Sequence, residues 1–469
     1  MRLDPFVKKY NDQIIKSVCE SVKIPSLCSD PLPGMPYGEN VAKALDHALA
    51  VAKSLGFSTV NADGLYGYAE YGDGAETVAA MGHLDIVPPG EGWDFPPYAG
   101  EVLDGHILGR GTQDDKGPLF STLYALKAVA DSGEKISKKV RIIFGTDEES
   151  GKMRDVNAYI EREGAPLMSF TPDGEYPVVN AEKGSIRFNI TRSFIDNCTE
   201  GVISISELGG GDGLSVPAKA YAVITGSEDS LAEAEKIVCA FTTAQGWKMT
   251  SEFTEGSLKL TFAGKAAHAT LPGLGINAIG RMFVSLKNLH SFISIGTRGN
   301  YISFIADKIG TETDGFSMGI KAEHPHTGNL TLNMAKLTGS KDSMMLNIGI
   351  YVPAETIPFY DVIAKITTTF ESNGASLEIV RRVAPLFVEE THPLICALKR
   401  GYENATNKDP YLISMCGSTY SKRMPNMVPF GATFKDEPDH AHAANEKVLI
   451  ANLHESMRIM AYAILEMAK

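Results

Sequence analysis

Two pairs of neighbouring carboxylates carry the first hint of chemistry: Asp114-Asp115 in "GRGTQDDKGP" (109–118) and Glu148-Glu149 in "TDEES" (146–150). Like charges repel, steeply so once water is excluded, and such pairs call for solvent or for a positive partner. Either aspartate alone would cap the helix that "KGPLFSTLYALKAVADSG" predicts, since Asp is favoured at the N-cap and in the first turn. Two exceed what capping needs, and Glu148-Glu149 repeats the excess. His83 and Asp85 stand two apart on an extended chain, which puts both side chains on one side. A metal would use the imidazole, with the Asp85 carboxylate holding its other nitrogen in the right tautomer. Asp173 in "TPDGEYP" and His442 in "DHAHAANE" extend the set; in isolation they read as a turn aspartate and a surface histidine.

The elements that position these residues follow from periodicity. "TVAAMGHLDIVP" (77–88) and "KVRIIFGTDEES" (139–150) read as buried strands that end in charged residues. Between them Leu119, Phe120, Leu123, Leu126 and Val129 recur at helical spacing, with Gly133 as C-cap. Strand, helix, strand predicts a parallel α/β unit, and ligands of such sheets collect beyond the carboxyl ends of the strands. His83, Asp85, Glu148 and Glu149 all fall at such ends.

After residue 184 the texture changes to strands broken by polar turns. Two segments echo each other: a strand at Ala220 to Thr225, a helix in "SLAEAEKIVCAFTTAQG" and a strand at Leu258 to Ala263, then "MMLNIGIYV", "YDVIAKITTTFESNG" and a strand at Leu377 to Arg381. The expectation is an α/β protein: a mixed-sheet domain flanked by helices (1–180 and 386–469), with an inserted α+β domain of two similar halves (181–385). Helices are expected in "HPLICALKRGYENAT" and across the C-terminal "NEKVLIANLHESMRIMAYAILEMA". "GGGDG" (209–213) lacks the Lys-Ser/Thr ending and following helix of a phosphate loop and reads as a hairpin turn.

A chain of 469 residues with a net charge of −13 is long enough for two cores and offers no basic face to nucleic acid or anionic lipid. Cys19, Cys28, Cys198, Cys239, Cys396 and Cys416 are scattered without CxxC spacing, which fits reduced thiols in a cytoplasmic protein. No signal-peptide core and no membrane-length apolar run is found. Small molecules or peptides are the expected partners.

"MGHLDIVPPGEGWDFPPY", "GHILGRGTQDDKGP", "TDEESG", "TPDGEYP", "GKAAHATLPGLGINA", "TYSKRMPN" and "AHAANE", in this order, resemble the metallopeptidase family that includes aminoacylase and glutamate carboxypeptidase, and within it the PepV-like, Xaa-His or carnosine-type dipeptidases. The resemblance spans nearly the whole chain. It implies two divalent metal ions, zinc or manganese, with His83 and Asp173 on one, Glu149 and His442 on the other, and Asp114 bridging. His442 is preferred to His440 by its place in the HxxNE pattern. Two divalent ions, three carboxylates and one hydroxide sum to zero, and mixed N and O ligands without cysteine suit a catalytic site.

Glu148 is then free to act as general base and acid. His268 matches the family position of an oxyanion donor from the lid. Gly417 and Ser421 match the segment lining the substrate end of the cleft. Relatives carry an arginine for the substrate carboxylate in an NxRxxP-like pattern, and Gly349 stands there in "LNIGIYVP". Asp115 is left to orient its loop or cap the helix.

The resemblance thus implies hydrolysis of the peptide bond of dipeptides, β-alanyl or Xaa-His among them. The same metal core would also serve a deacylase or carboxypeptidase, and a third class is a metal-binding scaffold without catalysis. A two-half lid resembles the single-chain arrangement of a monomer.

Overall fold

The computed structural model describes residues 2–194, 203–289 and 297–469, so Cys198 lies outside the described residues. The chain divides into two compact units, Met1–Ala181 with Leu386–Lys469, and Glu182–Pro385. The architecture is α/β, with the second unit inserted into the first.

The first unit is built on a six-stranded mixed sheet in the order Ser58–Asn61, Gly67–Tyr71, Lys139–Gly145, Thr77–His83, Met168–Thr171, Met427–Pro429. The first three strands alternate in direction, and from Lys139–Gly145 onward all four are parallel. Thr77 pairs with Lys139 and His83 with Gly145, so the two central strands end level. That register sets His83 beside the turn that carries Glu148 and Glu149. The strand expected to run on to Pro88 leaves the sheet at His83, where Leu84 N–H still donates to Gly145 O but Ile86 N–H turns to Ser26 O.

The crossover helix, Lys116–Ser132, ends at Gly133 in the left-handed region, as its spacing predicts. Its residues from Lys116 to Leu126 are all buried, because the Ile450–Ala468 helix packs along it and the Asn11–Val22 helix and the sheet cover other sides. A helix buried nearly all round needs this continuous apolar composition. Each fully buried Leu or Phe contributes about 1.5–3 kcal/mol, and Leu119, Phe120, Leu123 and Leu126 are all at 0–1% exposure. The Pro393–Thr406 helix completes the layer over Ile450–Ala468.

The second unit is one continuous eight-stranded antiparallel sheet of two four-stranded halves. In one half the Lys219–Gly226 strand, the Glu228–Ala244 helix and the Met249–Thr254 strand flank the central Ser257–Ala263 strand. In the other, Ser343–Val352, the Phe359–Glu371 helix and Ser376–Val383 flank Gly184–Ser193. Each half is a split βαβ unit, and the halves join where Ile203–Gly210 pairs with Thr331–Ser340. Residues 209–213 end a strand and enter the loop of a hairpin, with Asp212 Oδ1 accepting from Leu214 and Ser215 N–H.

Candidate metal centre

All the donors proposed from the sequence in the first unit are carried by loops leaving the carboxyl ends of the sheet or by the segment after Pro429. His83 ends its strand and is buried. Its Nδ1 donates to the Asp85 backbone carbonyl at 2.9 Å. A carbonyl only accepts, so Nδ1 carries a hydrogen and Nε2 is the nitrogen left to face the neighbouring carboxylates. Here the structure corrects the sequence reading: the nearer Asp85 carboxylate oxygen is 3.7 Å from Nδ1, and the tautomer is set by the main chain instead. The Asp85 carboxylate, fully buried, accepts the N–H groups of Glu148 (3.2 Å) and Glu149 (3.0 Å). It positions the backbone of the glutamate pair.

Nε2 of His83 lies 3.0 Å from Asp114 Oδ1. Asp114 Oδ2 is 3.1 Å from His442 Nε2, which is also 3.1 Å from Glu149 Oε2. Donor atoms of His83, Asp114 and Glu149 all lie within 4.8 Å of one another. Two imidazoles therefore face the carboxylates of Asp114 and Glu149 across hydrogen-bond distances, with Asp114 in the middle. His440 does not take this place; its N–H donates to Gln113 Oε1.

The electrostatics call for positive charge. Asp114 and Glu149 hold the His442 proton up to about 11. Burial disfavours a charged His83, yet the Asp114, Asp85 and Asp115 carboxylates outweigh it and raise its proton affinity well above the ordinary range. Burial opposes ionisation of Asp114 too, and the two imidazoles still hold it below the usual carboxylate range. Lys116, two residues on from Asp114, points away and donates to Ser21 O and Ile24 O. Converging imidazole and carboxylate donors with this surplus of negative charge fit divalent cations.

Glu148 is buried, and that burial, with the Asp173, Glu149 and Asp85 carboxylates, lifts its proton affinity well above the usual range. Asp173 is half-buried just beyond the Met168–Thr171 strand and close enough to raise both Glu148 and Asp115.

Asp115 does not cap the helix: no side-chain cap bond is made, and Oδ2 instead accepts the His83 N–H at 3.0 Å. The approach is close, since a Cβ on Gly82 would sit 2.3 Å from that oxygen. Burial, then Asp173 and Asp114, push the Asp115 carboxyl well up.

In the segment carrying Gly417 and Ser421, Ser421 is buried with Oγ 2.8 Å from Thr419 Oγ1, and Gly417 is half-exposed. Tyr420 of the same segment meets the site. Its ring lies edge-on to His83 with centroids 6.4 Å apart, and its hydroxyl donates to Asp155. Asp155 in turn accepts from Thr146 and Asp147 N–H, just before Glu148.

The sequence reading missed Glu446. Its Oε1 accepts N–H from Gly111 (2.9 Å), Gln113 (2.9 Å) and Asp114 (3.2 Å), and Oε2 meets Arg110 Nη1 at 2.6 Å. Asn445 Nδ2 donates to Asp94 Oδ2, and its Oδ1 accepts the Asp94 N–H. The end of "HAANE" thus ties the loop of His442 to the loop of Asp114. The only advance signal was the proximity of Asn and Glu to the histidine.

His268 lies in the second unit, where Nδ1 accepts Thr270 N–H (3.3 Å) and sits 2.6 Å from Thr270 Oγ1. Accepting at Nδ1 puts the hydrogen on Nε2, which makes exposed His268 a donor there.

The chain is 34% identical over 475 residues to "Putative dipeptidase YtjP" of Bacillus subtilis, covering 99% of each. Among solved structures it shares the fold of human carnosine dipeptidase 1 (TM-score 0.59, 16% identity, 100% of this chain and 99% of that one). Aminoacylhistidine dipeptidase from Vibrio alginolyticus shares it as well (TM-score 0.57, 14% identity, 97% and 96%). Residues 79–466 match Peptidase family M20/M25/M40, and with donors at the strand ends, a paired glutamate beside them and relatives along its whole length, the chain belongs to that family.

Proposed function

We propose that this chain is a metal-dependent dipeptidase, with Xaa-His and β-alanyl dipeptides as the first substrates to try. The observation that carries the reading is the convergence of His83, Asp114, Glu149 and His442 beside a buried Glu148. His83 and Asp173 would hold one divalent cation, Glu149 and His442 the other, and Asp114 both; zinc or manganese suits these donors. Bound there, such ions supply Lewis-acid polarisation of the scissile carbonyl and lower the pKa of water.

The protein's own groups do the rest. Glu148, whose proton affinity is raised by burial and neighbouring carboxylates, accepts a proton from the attacking water and delivers it to the departing amine. Asp85 keeps the Glu148 and Glu149 backbones in place. His268 Nε2–H is the proposed donor to the developing oxyanion, with Thr270 fixing its tautomer.

A cytoplasmic location is part of the proposal. Cys19, Cys28, Cys239 and Cys396 are free thiols, and no helix among the described residues is long and apolar enough to cross a membrane. So is a monomeric state, on the strength of the two-half sheet.

The test is turnover of a dipeptide panel with zinc or manganese, before and after chelation, for the wild type and Glu148→Gln. The variant should keep its metal content and lose about 10²–10⁴-fold in kcat, the worth of a general base. Full activity in metal-loaded Glu148→Gln would overturn the mechanism. Turnover of N-acyl amino acids in preference to every dipeptide would move the chain to the deacylase reading.

A further inference from the structure

A cavity of 770 Å³ lies within the first unit, and none of His83, Asp114, Glu148, Glu149, Asp173 or His442 lines it. Small-molecule sites measure about 300–1,000 Å³ and combine apolar, largely aromatic walls with a few placed polar groups. This cavity has that size and that kind of wall.

One side of it is aromatic. The Tyr176 ring packs against Phe434, with centroids 4.9 Å apart, and against Tyr402 at 6.0 Å. Ser456 O accepts the Tyr176 hydroxyl (3.5 Å), so the ring is what Tyr176 offers the cavity. Tyr411 adds a fourth ring and is 51% exposed.

A second side is cationic. The Lys447–Leu449 strand pairs antiparallel with His106–Leu108, Lys447 opposite Leu108 and Leu449 opposite His106. Opposed residues share a face, as do residues two apart on a strand, so Lys447, Leu449 and His106 look the same way, and all three line the cavity. His106 Nδ1 donates to Asp104 O (2.9 Å), which leaves Nε2 for another partner. Lys408 and Lys435 bring two more ammonium groups. Among the described residues, none of the three lysine side chains makes an ion pair or a hydrogen bond. Two acids line the cavity as well: Asp436, and Glu437, whose Oε2 accepts the Phe434 N–H (3.3 Å). Three lysines against two carboxylates make a local positive excess in a chain of net charge −13.

The segment that closes the cavity is held in place from behind. Gln113 Nε2 donates to Pro438 O (3.2 Å), and Gln113 Oε1 accepts the His440 N–H (2.7 Å). Pro438 and His440 both line the cavity, so one amide fixes that wall.

We infer that this cavity is a second ligand site and that it takes a small aromatic anion, with a planar ring against Tyr176 and Phe434 and a carboxylate or phosphate toward Lys447. The inference is independent of the dipeptidase reading, because no metal donor contributes to the site.

Calorimetric titration of the metal-loaded protein tests it with two probe anions, AMP for a phosphate and indole-3-acetate for a carboxylate. Each is compared with its uncharged counterpart, adenosine or indole-3-acetamide. At least one anion should bind with Kd below about 1 mM, and about 10-fold or more tighter than its counterpart, the worth of a charge-assisted contact. The anion that does so tells phosphate from carboxylate. Lys447→Met should remove most of that difference, and Lys435→Met serves as the second variant should Lys447→Met fail to fold. Tyr411→Ala should weaken anion and counterpart alike by about 3- to 10-fold. An anion held by the metal ions instead would bind these folded variants as it binds the wild type, and that result overturns the proposal. So does the absence of saturation by either anion up to about 10 mM.

Discussion

Replacing Glu446 by glutamine tests whether one carboxylate holds the loop of Asp114 in place. The amide oxygen of the new side chain could still accept from Gly111, Gln113 and Asp114, but its NH2 would then face the Arg110 guanidinium, now 2.6 Å from Oε2. Both side chains are at most 1% exposed, so water cannot relieve the conflict. Breaking a buried pair by neutralising one partner costs about 3–5 kcal/mol. At about 2–4 °C per kcal/mol for a body of this size, the melting temperature of the metal-free protein should fall by about 6–20 °C. Removing the stranded charge with Arg110→Met in the same chain should recover part of the loss, a coupling that independent sites would not show. Competition with a chelator gives a second readout: Glu446→Gln should weaken divalent-cation binding, because the Asp114 N–H is one of its three backbone partners. A fall below about 2 °C with unchanged cation affinity would refute the reasoning.

Gly82→Ala should displace Asp115, whose Oδ2 lies 2.3 Å from the new Cβ, and lower stability by about 1–3 kcal/mol with weakened cation affinity; unchanged thermal unfolding would count against the close approach. Lys116 is buried, which lowers its pKa to about 7 from an ordinary 10.5. Between those values the unfolded chain binds more protons than the folded one, so wild-type stability should rise with pH from about 7 to 10.5, by a few kcal/mol. Lys116→Met should lack that slope, and parallel urea-denaturation curves for the two proteins across this range would dismiss the effect.

The residues legible in the sequence were those whose role is set by local spacing. The parallel strand pair, the helix after Asp115 and the donors at the strand ends all follow from contiguous segments, and the spacing of two in His83-Leu84-Asp85 put both side chains near the site. What spacing could not tell was which oxygen of Asp85 meets the imidazole, because that depends on how the chain turns after His83. Glu446 and Arg110 are 336 positions apart, and nothing local to either announces the other.

The order of the chain also says when the site can exist during synthesis. The first unit takes its edge strand Met427–Pro429, the Ile450–Ala468 helix and His442 from beyond the inserted unit, which is contiguous and complete by Pro385. Domains fold as their sequence emerges, so the inserted unit forms while the first still lacks an edge, a core helix and one of its imidazoles. A chain that has emerged only through the inserted unit thus carries no finished centre; the donors converge after the segments that follow it have been made.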